Sequence, residues 1–354
     1  MTMGTHPLAD LQVVCDAVGI SRVADLTGLD CIGIPVWQAI RPLSKNLSVS
    51  QGKGLTAAEA IAGAVMEAVE LHAAEMPRVD YVLAVGEVTP TLPYRLAELA
   101  GFASEPAPRR KLEWVSGRFL DDGTPTLVPV DAIRLDFTST GLCWPTFVAT
   151  STGLAAANDA TAATRHALYE VIERHSVRMW RARSPHARPV AVDSVPPLDH
   201  LFDRVRAAGC AVRVYDCGEL GVPCAAARLY SPEYLTVFTG SGCDATWTGA
   251  AMKAVLEAIQ SRMTNVAGAR DDIAEIDYLP VGGNAEMPGV DDSWPTAPIT
   301  ARYADAPIGA DVQKAISYCL RELRHRRAIV VDLSTPNVPV AVVRVLVPGL
   351  VGPR

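Results

Sequence analysis

The stretch 57–75, AAEAIAGAVMEAVELHAAE, decides how the rest of the chain is read. It is alanine-rich and of helical length, and it carries Glu67 and Glu70 within an apolar run. Residues three apart on a helix are neighbours on one face. Two further stretches repeat the plan. ATAATRHALYEVIERHSVR (160–178) carries Glu170 and Glu173, and TGAAMKAVLEAIQSRMT (248–264) carries Glu257 and Gln260. Three such pairs, flanked by apolar positions, are too costly to bury without cations to neutralise them. The plain alternative is three amphipathic helices with solvated carboxylates, the usual fate of glutamate.

Each run follows a strand-like segment and a small-residue turn: LSVSQGKGLT (47–56), TFVATSTGLAAAN (146–158) and TVFTGSGCD (236–244). The copies lie about a hundred residues apart, too far for a solenoid repeat. That spacing suits a globular α/β fold (α+β mixed) that brings three Glu-bearing helices to one site beside mixed sheets. The chain reads as one domain over 1–354, with a helical lead-in over 1–26 that includes a short helix at 9–20. Residues 80–88 and 126–136 read as strands, and SEPAPRRKLEW (104–114) reads as a polar loop. A proline-bearing connector spans 183–200, and a helix at 199–208 precedes strands at 211–217 and 223–231. The Pro-, Gly- and Asp-rich stretch 273–309 reads as a long surface loop. A helix at 310–326 and strands at 327–334 and 339–347 complete the C-terminal part, 310–354.

Composition narrows the function. The 354 residues are 49% hydrophobic, enough for a sizeable core, and the formal net charge of −7 argues against a nucleic-acid or anionic-membrane binder. A signal peptide is not expected, and no uncharged apolar run approaches the roughly 18 residues of a membrane span. A cytoplasmic protein is expected. Eight cysteines occur with no C-x-x-C, and the seven-residue spacing of Cys210, Cys217 and Cys224 matches no zinc knuckle. Buried free thiols are the expectation. The scattered histidines read as structural, and no G-x-S-x-G marks a nucleophile.

Carboxylates and side-chain amides are hard oxygen ligands that suit Mg²⁺ or Mn²⁺. Lys53, between two glycines ahead of a helix N-terminus, supplies a point charge at a ready anion site, although the spacing is not that of a P-loop. Arg174, Arg262, Arg270 and Arg344 are further cations able to neutralise carboxylates or clamp phosphate. The residues alone lead to a divalent-metal nucleotide enzyme of unusual architecture.

LSVSQGKG with VMEAVE, LYEVIERH, and LEAIQSR followed by GARDD together resemble the nucleotide-binding motifs of the YcaO family. The resemblance runs from about residue 18 to the C-terminal end. TGLDCIGIPVWQAIRPLSKNLSVSQGKG and VDLSTPNVPVAVVRVLVPGL are most similar to its TfuA-associated branch. The resemblance implies ATP and Mg²⁺ as cofactors and phosphorylation of a peptide backbone amide oxygen, followed by nucleophilic attack. Sulfide then gives a thioamide, a neighbouring side chain an azoline, and an N-terminal amine an amidine. Carried over by position, Glu67, Glu70, Glu170, Glu173 and Glu257 would hold Mg²⁺ directly or through water, with Gln260 and Arg174 completing the cluster. Ser50 and Lys53 would lie near the phosphates, with Arg270 and Arg344 as further phosphate candidates.

Three departures stand out. Gly63 occupies a position that usually carries serine, Asp244 stands in a turn that often carries histidine, and the sequence closes on PGLVGPR. With no fused leader-binding domain expected, recognition of a precursor peptide or protein falls to the fold itself or to a partner. The implied partners are that substrate, a TfuA-like sulfur-delivery protein and a second copy in a homodimer. The leading expectation is a thioamide-forming enzyme. A standalone azoline or macroamidine cyclodehydratase and a non-catalytic nucleotide-binding accessory protein are its alternatives.

Overall fold

A computed structural model describes residues 8–138, 145–183, 189–190, 196–234, 236–268, 270 and 311–350. The order of its elements is α1 (Leu8–Val18), β1 (Arg22–Asp25), β2 (Val36–Ile40), β3 (Val49–Lys53) and α2 (Ala57–Glu75), then β4 (Tyr81–Ala84) and α3 (Val85–Val88). There follow β5 (Lys111–Phe119), β6 (Pro125–Pro129), β7 (Leu154–Ala157), α4 (Ala160–Arg183) and α5 (Pro196–Ala207). The series continues with β8 (Ala211–Asp216), β9 (Cys224–Tyr230), β10 (Phe238–Cys243), α6 (Trp247–Ala267), α7 (Val312–Glu322), β11 (Ile329–Asp332) and β12 (Ala341–Leu346). The loop expected at 273–309 lies outside the described residues.

The strands form three sheets, ordered β1-β2-β3, β10-β9-β8 and β4-β5-β11-β12-β7, with β6 paired to β5 in the last. Strand, turn and Glu-bearing helix recur three times, as β3–α2, β7–α4 and β10–α6. The mixed α/β fold with several sheets is the one expected, and every described strand pair in it is antiparallel. The cause is where the repeated strands sit. β3, β7 and β10 are each the terminal strand of a sheet, so none of the three helices returns to a parallel neighbour.

Each helix starts where a side-chain oxygen meets free N–H groups. Thr56 accepts from the Glu59 N–H in a capping box, Thr246 accepts from Gly249, and Asp159 Oδ1 accepts from Ala162 at 2.8 Å. α6 stops at Gly268, whose left-handed φ of 58° terminates helices. Small residues let helix and strand approach closely. Ala60, Ala64 and Ala68 of α2 are fully buried, and a Cβ added to Gly52 of β3 would stand 2.0 Å from the Ala60 carbonyl oxygen.

Several sequence expectations are revised. β4 ends at Ala84, because the Glu87 carboxylate accepts from the Ala84 N–H and turns 85–88 into a helical turn. The strand expected over 126–136 gives way after Pro129 to a single 3-10 turn at 130–132. The loop read at 104–114 already contains the start of β5 at Lys111. The stretch 146–158 is extended strand only at 154–157.

The seven described cysteines are free thiols, and Cys31 is the exposed one. Cys217 donates its N–H to the Cys224 carbonyl, and Cys224 stands directly opposite Cys243. The even sequence spacing thus partly reflects a hairpin. Burial pushes the Cys217 and Cys243 thiols well up and Cys319 up to about 12, which leaves them inert. Among the described residues no helix is long and apolar enough to cross a membrane.

Candidate functional site

The terminal strands β3, β7 and β10 bring three open sheet edges to one region, and the glutamates of the three helices meet those edges. The Gln51 N–H of β3 donates to Glu67 Oε2 at 2.6 Å. The Ala156 N–H of β7 donates to Glu70 Oε1 at 2.8 Å, and the Gly153 N–H just before β7 donates to Glu170 Oε2 at 3.1 Å. From β10, the Ser241 hydroxyl donates to Glu173 Oε1 at 2.6 Å. Four of the five glutamates are thus aimed by donors of an edge strand or the turn leading into it.

Beside these edges lies a cavity of about 730 Å³. Glu67, Glu70, Glu170, Glu257, Gln260, Lys53, Arg174 and Arg270 all line it, so the structure brings together eight of the residues singled out in the sequence. Glu173 does not line it; its carboxylate accepts from the Ser241 hydroxyl of β10. Ser50 and Arg344 are buried and do not line it. Arg262 is turned elsewhere, buried in pairs with Asp30 at 3.1 Å and Glu233 at 2.7 Å.

Two of the cations pair directly with carboxylates of the wall. Lys53 Nζ stands 3.5 Å from Glu257 Oε2, and Arg174 Nε stands 3.6 Å from Glu170 Oε1, one turn along α4. Burial works against the charge of Arg174, but Glu170, Glu173 and Glu257 outweigh it and hold its pKa above the usual value. Burial raises the pKa of Glu67 and, reinforced by Glu170 and Glu67, raises that of Glu70 well above the ordinary range. Burial likewise raises Glu170, although Arg174 and Arg344 oppose it. Burial and the neighbouring Glu257 push Glu173 up to about 7. Burial thus works against the charged form of these clustered carboxylates even with Lys53 and Arg174 beside them, a penalty that a bound cation would relieve.

The donor set fits Mg²⁺. Its ligands are hard oxygens, and an oxygen each of Glu67 and Glu70 is left for the cavity once the strand bond is made. Among the described residues no three His, Cys, Asp or Glu side chains form a ready-made metal cage. Such a spread suits an ion that keeps several waters and takes its other ligands from phosphate.

Sequence reasoning missed three contributors. Gln51 ties β3 to α6: its carbonyl accepts from Gln260 Nε2 at 3.3 Å, and its side-chain oxygen accepts from Thr264 at 2.5 Å. Ser241 acts through its hydroxyl but belongs to no motif, and the strand N–H groups have no side-chain signature to find. His166, read as structural, lines the cavity one turn before Glu170. Arg165 donates to its Nε2 at 3.0 Å, and burial, with Lys253 and Arg165 nearby, pulls its pKa down to about 4, so it is neutral. Of the two departures within the described residues, Gly63 packs against β3, where its added Cβ would lie 3.3 Å from Gly52 Cα. Asp244 is buried and pairs with Lys253 at 2.6 Å.

Comparisons with known proteins agree with this geometry. A family profile described as YcaO cyclodehydratase, ATP- and Mg²⁺-binding, matches residues 51–351. An uncharacterised protein of Mycobacterium tuberculosis is 35% identical, over 98% of this chain and 83% of its own length. An uncharacterised protein encoded in the tfuA 3′ region of Rhizobium leguminosarum bv. trifolii is 32% identical, over 94% of this chain and 84% of its own. The solved structure of YcaO from Methanopyrus kandleri, bound with AMPPCP and Mg²⁺, has the same fold, with a TM-score of 0.72 and 24% identity. That match covers 96% of this chain and 88% of the other.

Proposed function

The chain belongs to the YcaO family of ATP- and Mg²⁺-dependent enzymes, and on that premise we propose that it phosphorylates a peptide backbone amide oxygen and forms a thioamide there. The observation that carries the reading is the single cavity walled by carboxylates from three helices and by Lys53, Arg174 and Arg270. Glu67, Glu70, Glu170, Glu173 and Glu257 hold Mg²⁺ directly or through water, with Gln260 and Arg174 completing the cluster. Lys53 and Arg270 face the phosphates. Held there, Mg²⁺ would supply neutralisation of the phosphate charge.

The protein's own part is positioning. An amide oxygen is a poor leaving group, and its phosphoryl ester is a good one, so the walls must hold peptide and nucleotide in register. Besides the charged residues, the cavity is lined by Thr236, Thr239, Ser261, Thr264 and Asn265. Uncharged polar walls suit a peptide backbone.

The tfuA neighbourhood of the Rhizobium relative favours sulfide over a side chain as nucleophile, with a TfuA-like protein delivering the sulfur. A precursor peptide or protein as substrate, a homodimer and one domain over 1–354 belong to the same reading. The test is mass spectrometry of candidate peptides incubated with the enzyme, ATP, Mg²⁺ and sulfide. Exchange of one oxygen for sulfur is expected. Loss of one water would establish a cyclodehydratase instead. Tight nucleotide binding without turnover on any peptide would point to an accessory protein.

A further inference from the structure

Arg344 lies in β12, between β11 and β7, with its guanidinium almost entirely buried. It makes one strong hydrogen bond, from Nη2 to the Thr150 carbonyl at 2.5 Å, and its Nε and Nη1 find no partner among the described residues. Burial pulls its pKa down to about 10, against the attraction of Glu170. A cation so poorly compensated is not explained by stability, since apolar side chains of similar size serve packing at least as well.

Its surroundings supply another reason. Arg344 stands directly opposite Leu154 in the β12–β7 pair, and the next residue, Val345, donates its N–H to the Gly153 carbonyl at 2.7 Å. Arg344 and Val345 therefore grip the Thr150–Leu154 turn from below at two carbonyls. That turn presents Ser151 to the cavity and delivers the Gly153 N–H to Glu170. No residue with a side chain fits in place of Gly153, whose φ is +79° and whose added Cβ would stand 2.1 Å from the Val345 carbonyl oxygen.

We propose that Arg344 is a positioning residue for the metal site: it contacts no ligand, fixes the 150–154 turn, and sets Glu170 from behind with a permanent positive charge. This rests on the reading of Glu170 as part of the Mg²⁺ site. A partner lying outside the direct ligands of a metal typically governs metal affinity by about 10- to 100-fold.

The experiment measures nucleotide binding as a function of Mg²⁺ concentration, by calorimetry with a non-hydrolysable ATP analogue, for wild type, Arg344→Lys, Arg344→Met and Glu170→Gln. Melting of each variant without Mg²⁺ serves as the measure of folding. The half-saturating Mg²⁺ concentration should rise about tenfold or more in Arg344→Met and by less in Arg344→Lys, which keeps the charge and loses the planar fork. In a turnover assay the Mg²⁺ requirement should rise by a larger factor than kcat falls. A purely packing role predicts lower melting in both variants at wild-type Mg²⁺ dependence, and that result overturns the proposal. If Arg344→Met does not fold, Arg344→Lys decides alone: a raised Mg²⁺ requirement supports the proposal and an unchanged one overturns it. Glu170→Gln separates the two levels. If it also leaves Mg²⁺ dependence unchanged, the reading of the whole site fails. If only the Arg344 variants do, the positioning role fails.

Discussion

The β3–α2 and β10–α6 units are built to one plan. Each strand carries glycine packed against its own helix, and each helix is capped by a threonine, Thr56 or Thr246, at the same sequence distance from Glu67 or Glu257. They differ in where their contacts go. β3 anchors its own Glu67 but reaches across to α6 through Lys53 and Gln51, whereas β10 passes over Glu257 and anchors Glu173 of α4. The middle unit completes a ring, since β7 anchors Glu70 of α2. The teaching is that the repeats interlock. Each strand orients a neighbour's acid, so no single repeat contains a working third of the site.

The largest expected effect comes from breaking one copy of the shared plan. Gly52→Ala places its Cβ 2.0 Å from the Ala60 carbonyl oxygen, and Gly242→Ala places its own 2.3 Å from the Ala250 carbonyl oxygen. Each should cost about 3 kcal/mol or more, the upper range for overpacking, read as a large fall in melting temperature. If the units folded independently, the damage would stay local. The ring predicts that either variant also abolishes nucleotide binding.

Glu67→Gln and Glu170→Gln come next. Each keeps size and a strand-facing oxygen but removes charge, and each should weaken Mg-nucleotide binding by about 10- to 100-fold while the protein still folds. Calorimetric titration reads this directly. Equal binding by both variants and wild type would show that the acids of α2 and α4 do not serve one site.

A smaller effect depends on pH. The Glu173 pKa is raised in the fold from 4.5 to about 7, so its bound proton favours the folded metal-free protein at low pH. That contribution is complete below pH 4.5 and is lost as pH rises through about 7. The melting temperature of metal-free protein should therefore fall across this window, and Glu173→Gln should flatten the slope. A slope unaltered by the substitution would assign the effect to the other acids.

The smallest effect concerns Gly63. Its Cβ would meet Gly52 Cα at 3.3 Å, tight but not prohibitive. Gly63→Ser should destabilise by about 1 kcal/mol, the low end for overpacking, with little change in nucleotide affinity. A gain in affinity would mean that a hydroxyl here reaches the ligand.

Much of the site was legible before any coordinates. Glu67, Glu70, Glu170, Glu257 and Gln260 repeat at helical spacing after capped turns, and local patterns of this kind survive folding. The partners that aim them were not legible. Gln51, Gly153 and Ala156 act through backbone N–H groups, which every residue type except proline carries. Arg344 was visible as a cation, but its depth follows from the place of β12 inside a sheet whose order no local pattern encodes. β5 was partly misread because its burial does not alternate cleanly: the consecutive Trp114 and Val115 are both fully buried. Ser50 and Lys53 were both carried over as lying near the phosphates, yet successive residues of a strand face opposite ways, and Ser50 shares with Gly52 the side packed on α2.

The open edges of β3, β7 and β10 carry a further consequence. An unpaired strand edge invites another chain to add itself, and proteins usually guard against this with charge or with covering segments. Here the guards and the candidate metal ligands are the same side chains. Truncating one of them, as in Glu70→Ala, removes an oxygen from the cavity and also leaves the Ala156 N–H of β7 without its acceptor. Metal-site variants of this protein should therefore self-associate more than their loss of stability alone explains, and a glutamine in the same place should do so less than an alanine.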